Sequence, residues 1–265
     1  MPSPAPSTVP TDPTVSTDPT DPTVSTDPTD PTVSTDPTDP GGPAVPPALP
    51  PLTAQADLLV ARGVVPPEVL SPDVLRGAAA ALERTSPAGA LLVVHPRLLP
   101  PSVLAGHLRR AATLRGRPVE RAGFVVVDMP DLDDFAPVPG VEVPDADVYA
   151  VAGPDRGDDL ANWSPEEAET ALAARSRSPL TVAEGAHWVL QSPDALARNR
   201  CFMTIGSRLR RPNGSYDART PALWISNGTG RDGSARRGAP KVGWCWWRNR
   251  HTWLGFASAA GRVAA

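Results

Sequence analysis

The nonapeptide Thr-Val-Ser-Thr-Asp-Pro-Thr-Asp-Pro occurs three times without change, at 14–22, 23–31 and 32–40, after a degenerate copy at 8–13. No packed structure can be built from it. Each unit carries one Val as its only apolar side chain of any size, so stacking the units buries almost nothing. The ordering cost set against that is about 1–2 kcal/mol per residue. Two prolines per unit fix φ and remove backbone donors, which excludes helix and sheet ladders. The segment 1–51 is therefore expected to be disordered, biased toward polyproline II and stretched by like charge. Its hydroxyls would suit a glycosylated stalk. The first residues, Met1-Pro2-Ser3-Pro4, show neither a basic nor an apolar stretch of the kind that directs export, which favours a passive solubilising tail.

Removing that segment changes the character of what is left. Residues 1–51 hold 16 of the 35 prolines, seven of the 29 acids and none of the 25 bases. The net charge of −4 over 265 residues therefore divides into −7 for the tail and +3 for residues 52–265. That body is long enough to bury a real core and is read as a single α/β or α+β domain. Two cysteines cannot frame a disulfide scaffold or a four-thiolate metal site, and no apolar run approaches the 18 residues of a membrane span. The expectation is a soluble cytoplasmic protein with no cofactor and no bound metal.

Along the body, Gln55 to Arg62 reads as a short helix stopped by Gly63, and Ser71-Pro72-Asp73 opens a helix running to about Arg84. Ala90 to Val94 is an apolar run of strand length. Pro101 to Arg110 reads as helix, Gly123 to Met129 as a second strand and Val148 to Ala152 as a third, weaker one. Continuous rather than alternating runs imply strands covered on both faces, which predicts an α/β arrangement over 71–153. Ser164-Pro165-Glu166-Glu167 and Thr181-Val182-Ala183-Glu184 are capping boxes that each open a helix. Beyond Asn199 the texture changes: Cys201 to Gly206, Ala222 to Ser226 and Val242 to Trp247 read as three antiparallel strands. The expected whole is a mixed sheet with flanking helices and C-terminal antiparallel strands.

Charge is segregated. From Asp128 to Glu169 there are 13 acids and one base; from Arg200 to Arg250 there are 11 bases and two acids, Asp217 and Asp232. The two stretches can face each other across the fold, or the basic one can meet an external anion. All seven Trp lie beyond residue 160.

Several stretches resemble a family of uncharacterised proteins of high-GC Gram-positive bacteria. They include Asp155-Arg156-Gly157, Asn162-Trp163-Ser164-Pro165-Glu166-Glu167 and Asn199-Arg200-Cys201-Phe202-Met203. They continue in Pro221-Ala222-Leu223-Trp224-Ile225-Ser226, Gly238-Ala239-Pro240-Lys241-Val242-Gly243-Trp244-Cys245-Trp246 and His251-Thr252-Trp253-Leu254-Gly255-Phe256. The resemblance covers about residues 54–262 and leaves out the tail. It implies a domain of unknown function and carries no activity to transfer. The loops 209–220 and 227–237 are longer than it requires.

The densest chemistry runs from Lys241 to Trp253. On a strand, Lys241, Gly243, Cys245 and Trp247 share one face, and Val242, Trp244 and Trp246 the other. Cys245 beside a cation, with His251 six residues on, suits a thiol–imidazole dyad; a small buried thiol between aromatics is the plainer reading. Glu184 and His187, and the acidic group Asp131, Asp133, Asp134, have partial metal-site spacing without a complete ligand set. No phosphate loop is present. The preferred reading is a module that binds a small anionic or aromatic ligand through Lys241, Arg208, Arg156, Trp244 and Trp253. The alternatives are a thiol-dependent enzyme using Cys245 and His251, and a weak nucleic-acid binder. A body charge of only +3 argues against nucleic acid, and nothing points to a membrane partner.

Overall fold

The computed structural model describes residues 45–114 and 116–265. Of the segment 1–51 expected to be disordered, residues 1–44 lie outside the described residues. The chain already docks at Leu49, which is buried, a few residues before the expected start of structure at Thr53.

In chain order the elements are α1 (Leu52–Ala61), α2 (Pro72–Thr85), β1 (Leu91–Val94), α3 (Pro101–His107), β2 (Arg109–Leu114), β3 (Arg117–Ala122) and β4 (Phe124–Val125). They continue as β5 (Ala136–Pro137), β6 (Val148–Ala152), α4 (Pro165–Ala174), β7 (Ser178–Pro179), α5 (Val182–Gln191), β8 (Cys201–Met203) and β9 (Ser207–Arg208). The last five are β10 (Arg219–Ile225), β11 (Pro240–Trp246), β12 (Leu254–Phe256), β13 (Ser258–Ala259) and β14 (Gly261–Ala264).

The fold is α+β. A three-stranded antiparallel sheet has the order β1-β6-β14, and a five-stranded mixed sheet the order β12-β8-β10-β11-β4. In the second sheet the three central strands are antiparallel, as the sequence texture beyond Asn199 implies, while β12 and β4 join the edges in parallel. Helices α1 and α2 pack on the first sheet, and α5 lies between the two sheets, against β1 and β10. Every residue of α5 is buried. Gly185 makes that closeness possible, because a Cβ there would lie 2.6 Å from Thr204 Cγ2 and 3.1 Å from the Phe202 ring.

Sequence reasoning errs at three places in the first half. The α/β arrangement over 71–153 does not form, since β1 and β6 pair antiparallel and no crossover helix joins parallel neighbours. The apolar runs report burial correctly, but burial on both faces does not fix strand direction. Helix α3 stops at His107, and Arg109 and Arg110 belong to the hairpin β2–β3, turned at Gly116 with φ +75°. Of the strand expected over Gly123 to Met129, only Phe124 and Val125 pair.

Strand β1 is an edge strand buried inside the protein, so its outward backbone groups need partners other than water. Side chains supply them. Gln55, fully buried on α1, donates to Ala90 O at 2.7 Å and accepts from Leu92 N at 2.8 Å. The same Nε2 also holds Pro50 O at 2.7 Å, tethering the incoming chain. From α5, Gln191 donates to Leu92 O at 2.8 Å, and His187 Nε2 accepts from Val94 N at 3.3 Å. Burial pulls the His187 pKa down to about 4, which keeps the imidazole neutral and able to accept. The His187 and Glu184 spacing on α5 therefore serves the fold.

Glu184 does so through an ion pair. Arg262 of β14 bonds it in two places, Nε to Oε1 at 2.6 Å and Nη2 to Oε2 at 2.8 Å, with side-chain exposures of 4% and 0%. Tyr149 donates to Oε1 and the Thr181 backbone N–H to Oε2, completing the carboxylate's partners. Arg262→Ala removes one member and strands the other, so it is expected to lower unfolding stability in urea by about 3–5 kcal/mol. Combining Arg262→Met with Glu184→Gln should restore much of the loss. An Arg262→Ala midpoint equal to wild type would show that this pair does not hold β14.

Candidate functional site

The strands β10 and β11 form a seven-residue antiparallel ladder in which Leu223 stands opposite Val242 and Trp224 opposite Lys241. Leu223 turns toward α5, where it lies 3.2 Å from a Cβ built on Gly185. One residue along each strand, Trp224 and Lys241 occupy the far face. Lys241 is only 4% exposed. Its Nζ lies 2.7 Å from Asp232 Oδ2 and 4.6 Å from the Trp224 ring centroid. The same Asp232 oxygen accepts from Ser226 Oγ at 2.6 Å, which fixes the loop carrying it. Gly243 completes the packing: a Cβ there would sit 2.5 Å from the Trp224 ring, so any side chain would lift the indole off the strand.

Beside this pair is a cavity of about 50 Å³ walled by Trp224, Trp244, Val126 and Val127. Its charged lining is Lys241, Arg231 and Arg236 against Asp128 and Asp232. Arg231 pairs with Asp128 at 3.2 Å and Lys241 with Asp232, while Arg236 lies 4.2 Å over the Phe124 ring with no carboxylate partner among the described residues. One positive charge is therefore in excess. Trp244 joins the lining although strand alternation assigns it to the other face. The paired part of β4 ends opposite Val242, whose carbonyl still accepts from Val126 N at 2.9 Å.

Of the residues singled out from sequence, this cavity gathers Lys241 and Trp244. Trp253 stands one step back, its ring edge-on to Trp224 at 6.2 Å. Arg208 is elsewhere and 7% exposed, with its guanidinium 3.8 Å over the Trp247 ring and bonded to Asp217 O. Arg156, 2% exposed, chelates Asp158 at 2.7 and 2.6 Å and donates to Ala195 O. It lines a second, larger cavity of about 340 Å³ together with Asp155, Trp188 and the incoming segment Val45 to Leu49. The carboxylates there are largely paired, since Asp159 holds Arg175 and Asp158 holds both Arg156 and Arg200.

Cys245 stands opposite Thr220 in the ladder, and the His251 ring lies edge-on to Trp253 at 5.5 Å. Neither is among the residues lining the Lys241 cavity. Cys201 is buried against Ala197 O, and burial pushes its thiol up to about 12. Among the described residues no group of three His, Cys, Asp or Glu side chains comes together as a metal-ligand set. The acidic group is engaged by protein: Asp131 takes a two-pronged bond from Arg219 at 3.0 and 2.6 Å, and Asp133 accepts from Ser102.

The segregated charges largely meet each other. Arg219 with Asp131, Arg231 with Asp128, Arg248 with Glu166 and Arg250 with Glu167 join the basic stretch to the acidic one. Asp232, Trp224, Asp128, Val126 and Val127 line the cavity without having been singled out for a site from the sequence. A signal existed for the first: Asp232 is one of only two acids between Arg200 and Arg250. The other, Asp217, is likewise an ion-pair centre, bound by Arg219 and Arg211.

The chain belongs to DUF5701, a family of unknown function, matched over residues 58–265. No curated protein and no solved structure matches it. The matched span contains both sheets and the whole Lys241 cavity. It leaves out Val45 to Leu49, one wall of the larger cavity. Among the described residues no helix is long and apolar enough to cross a membrane.

The two thiols should separate under alkylation of the native protein at neutral pH. Cys245, half-buried near the end of β11, is expected to react, and Cys201 only after unfolding. Peptide mapping that finds Cys201 modified at the rate of Cys245 would contradict the closed environment described for it.

Proposed function

We propose that this protein binds a small anionic ligand in the Lys241 cavity, with Trp224 and Trp244 flanking its apolar part. The supporting observation is the setting of Lys241: a buried ammonium beside a cavity whose lining carries one more cation than anion. The ligand is small. A volume of about 50 Å³ lies far below the ~300–1,000 Å³ typical of drug-sized ligands, which limits the buried portion to a few heavy atoms. It is also singly charged. Asp128 and Asp232 stand in the same lining and oppose a second negative charge, so a carboxylate fits better than a phosphate dianion. The arginines act as rim donors: Arg236 has its guanidinium uncommitted to a carboxylate, and Arg231 is exposed and able to exchange Asp128 for a ligand.

Thermal unfolding in a panel of small monocarboxylates, each against sodium chloride of equal ionic strength, tests this reading. A ligand at about 100 times its Kd adds about 2.7 kcal/mol to stability, enough to raise Tm by several degrees. The increase should vanish in Lys241→Ala, judged as the ligand-induced shift within each protein, because the substitution itself strands Asp232. A panel in which no anion exceeds the chloride control would remove the support for this function.

A further inference from the structure

The chain has 25 basic side chains, of which 24 are Arg and one, Lys241, is Lys. That single ammonium is 4% exposed and sits beside the cavity. Neutralising a carboxylate does not require it, since Arg does so throughout this protein, at Asp131, Asp158 and Glu184 among others. What an amine offers and a guanidinium does not is a nucleophilic lone pair, because a guanidinium cannot lose its proton in a protein.

The surroundings suit that use. Lys241 is withdrawn from water and shares its lining with Arg231 and Arg236, and a nucleophilic lysine works in a desolvated site of this kind. Asp232 Oδ2, at 2.7 Å from Nζ, is within reach to take the proton and to return it. Ser226 bonds that oxygen and holds the carboxylate in place. Asp128 and Asp232 are the acids in the cavity lining.

We infer that Lys241 forms an imine with a small oxo acid, an aldehyde or ketone carrying a carboxylate, held in this cavity. The inference rests on the binding function proposed above and names its ligand class. Nζ, having passed a proton to Asp232, adds to the carbonyl carbon; the C–N bond forms as the carbonyl π bond opens, and an N–H proton passes to the new alkoxide oxygen to give the carbinolamine. The carbinolamine hydroxyl then leaves as water with the proton held by Asp232, and the nitrogen lone pair closes the C=N bond, giving the protonated imine beside the Asp232 carboxylate. Amine and carbonyl are converted to imine and water with no change of oxidation state. Arg231 and Arg236 hold the carboxylate, and the small cavity restricts the acid to the size of glyoxylate or pyruvate.

The full chain incubated with pyruvate or glyoxylate and then reduced with borohydride decides the matter by peptide mapping. The expected result is one reduced adduct on Lys241, absent from Lys241→Arg and formed about 100-fold more slowly in Asp232→Asn. An adduct that forms no faster on the native than on the urea-unfolded chain would overturn the inference. So would its absence from Lys241 while small carboxylates still raise Tm, a result that leaves the binding function standing. Absence of both adduct and Tm shift would remove both. Mapping the unsubstituted protein keeps the test independent of whether either variant folds.

Discussion

Two strands, β10 and β11, are held in a register that places Leu223 against Val242 and Trp224 against Lys241. Strand side chains alternate, so this one choice sorts the sheet into a face that packs on α5 and a face that carries the cavity. A slip of one residue would turn Lys241 into the layer now filled by Leu223, Val242 and Phe202, where an ammonium has no partner. The register is locked from both faces. Gly185 allows α5 to touch Phe202 and Leu223, and Gly243 allows the Trp224 ring to lie against β11. In each case a missing Cβ permits the contact.

The scaffold behind that sheet solves a separate problem. Enclosing an edge strand between helices removes water from its outward backbone groups, and each one left unpaired costs about 1–3 kcal/mol. Gln55, His187 and Gln191 replace the missing strand on β1, and Arg262 with Glu184 ties the opposite edge strand, β14, to the same helix. Polar residues inside α5 are thus part of the fold's own bonding. The Lys241–Asp232 pair, by contrast, borders the small cavity.

Much of this was legible in the sequence, and the failures share a cause. Helices α2, α4 and α5 announce themselves by local bonds: Ser71, Ser164 and Thr181 cap them through their own side chains. The antiparallel core of the large sheet follows from strand-length runs between turn residues. Long-range pairing left no local mark. Nothing in Leu91 to Val94 says that its partner runs antiparallel, and nothing in Arg109 to Ala122 separates a helix end from a hairpin. That Lys241 and Trp244 line one cavity agrees with the density of chemistry around them in the sequence. Asp232 was hidden in a loop 9 residues upstream, and Arg156 and Arg208 looked like ligands for the same site because sequence does not show which cations are already spent on neighbours.

Ligand binding in this cavity requires Lys241 to be a buried, ion-paired ammonium that a ligand can still reach. Because it is the only lysine, its side-chain NζH₃ group gives a single resonance in a nitrogen-15 correlation spectrum. Burial and the bond to Asp232 should slow its proton exchange enough for that resonance to be seen at neutral pH, and a small monocarboxylate should shift it in a saturable manner. A resonance broadened away by rapid exchange with water, or one that no small anion moves, would contradict the account.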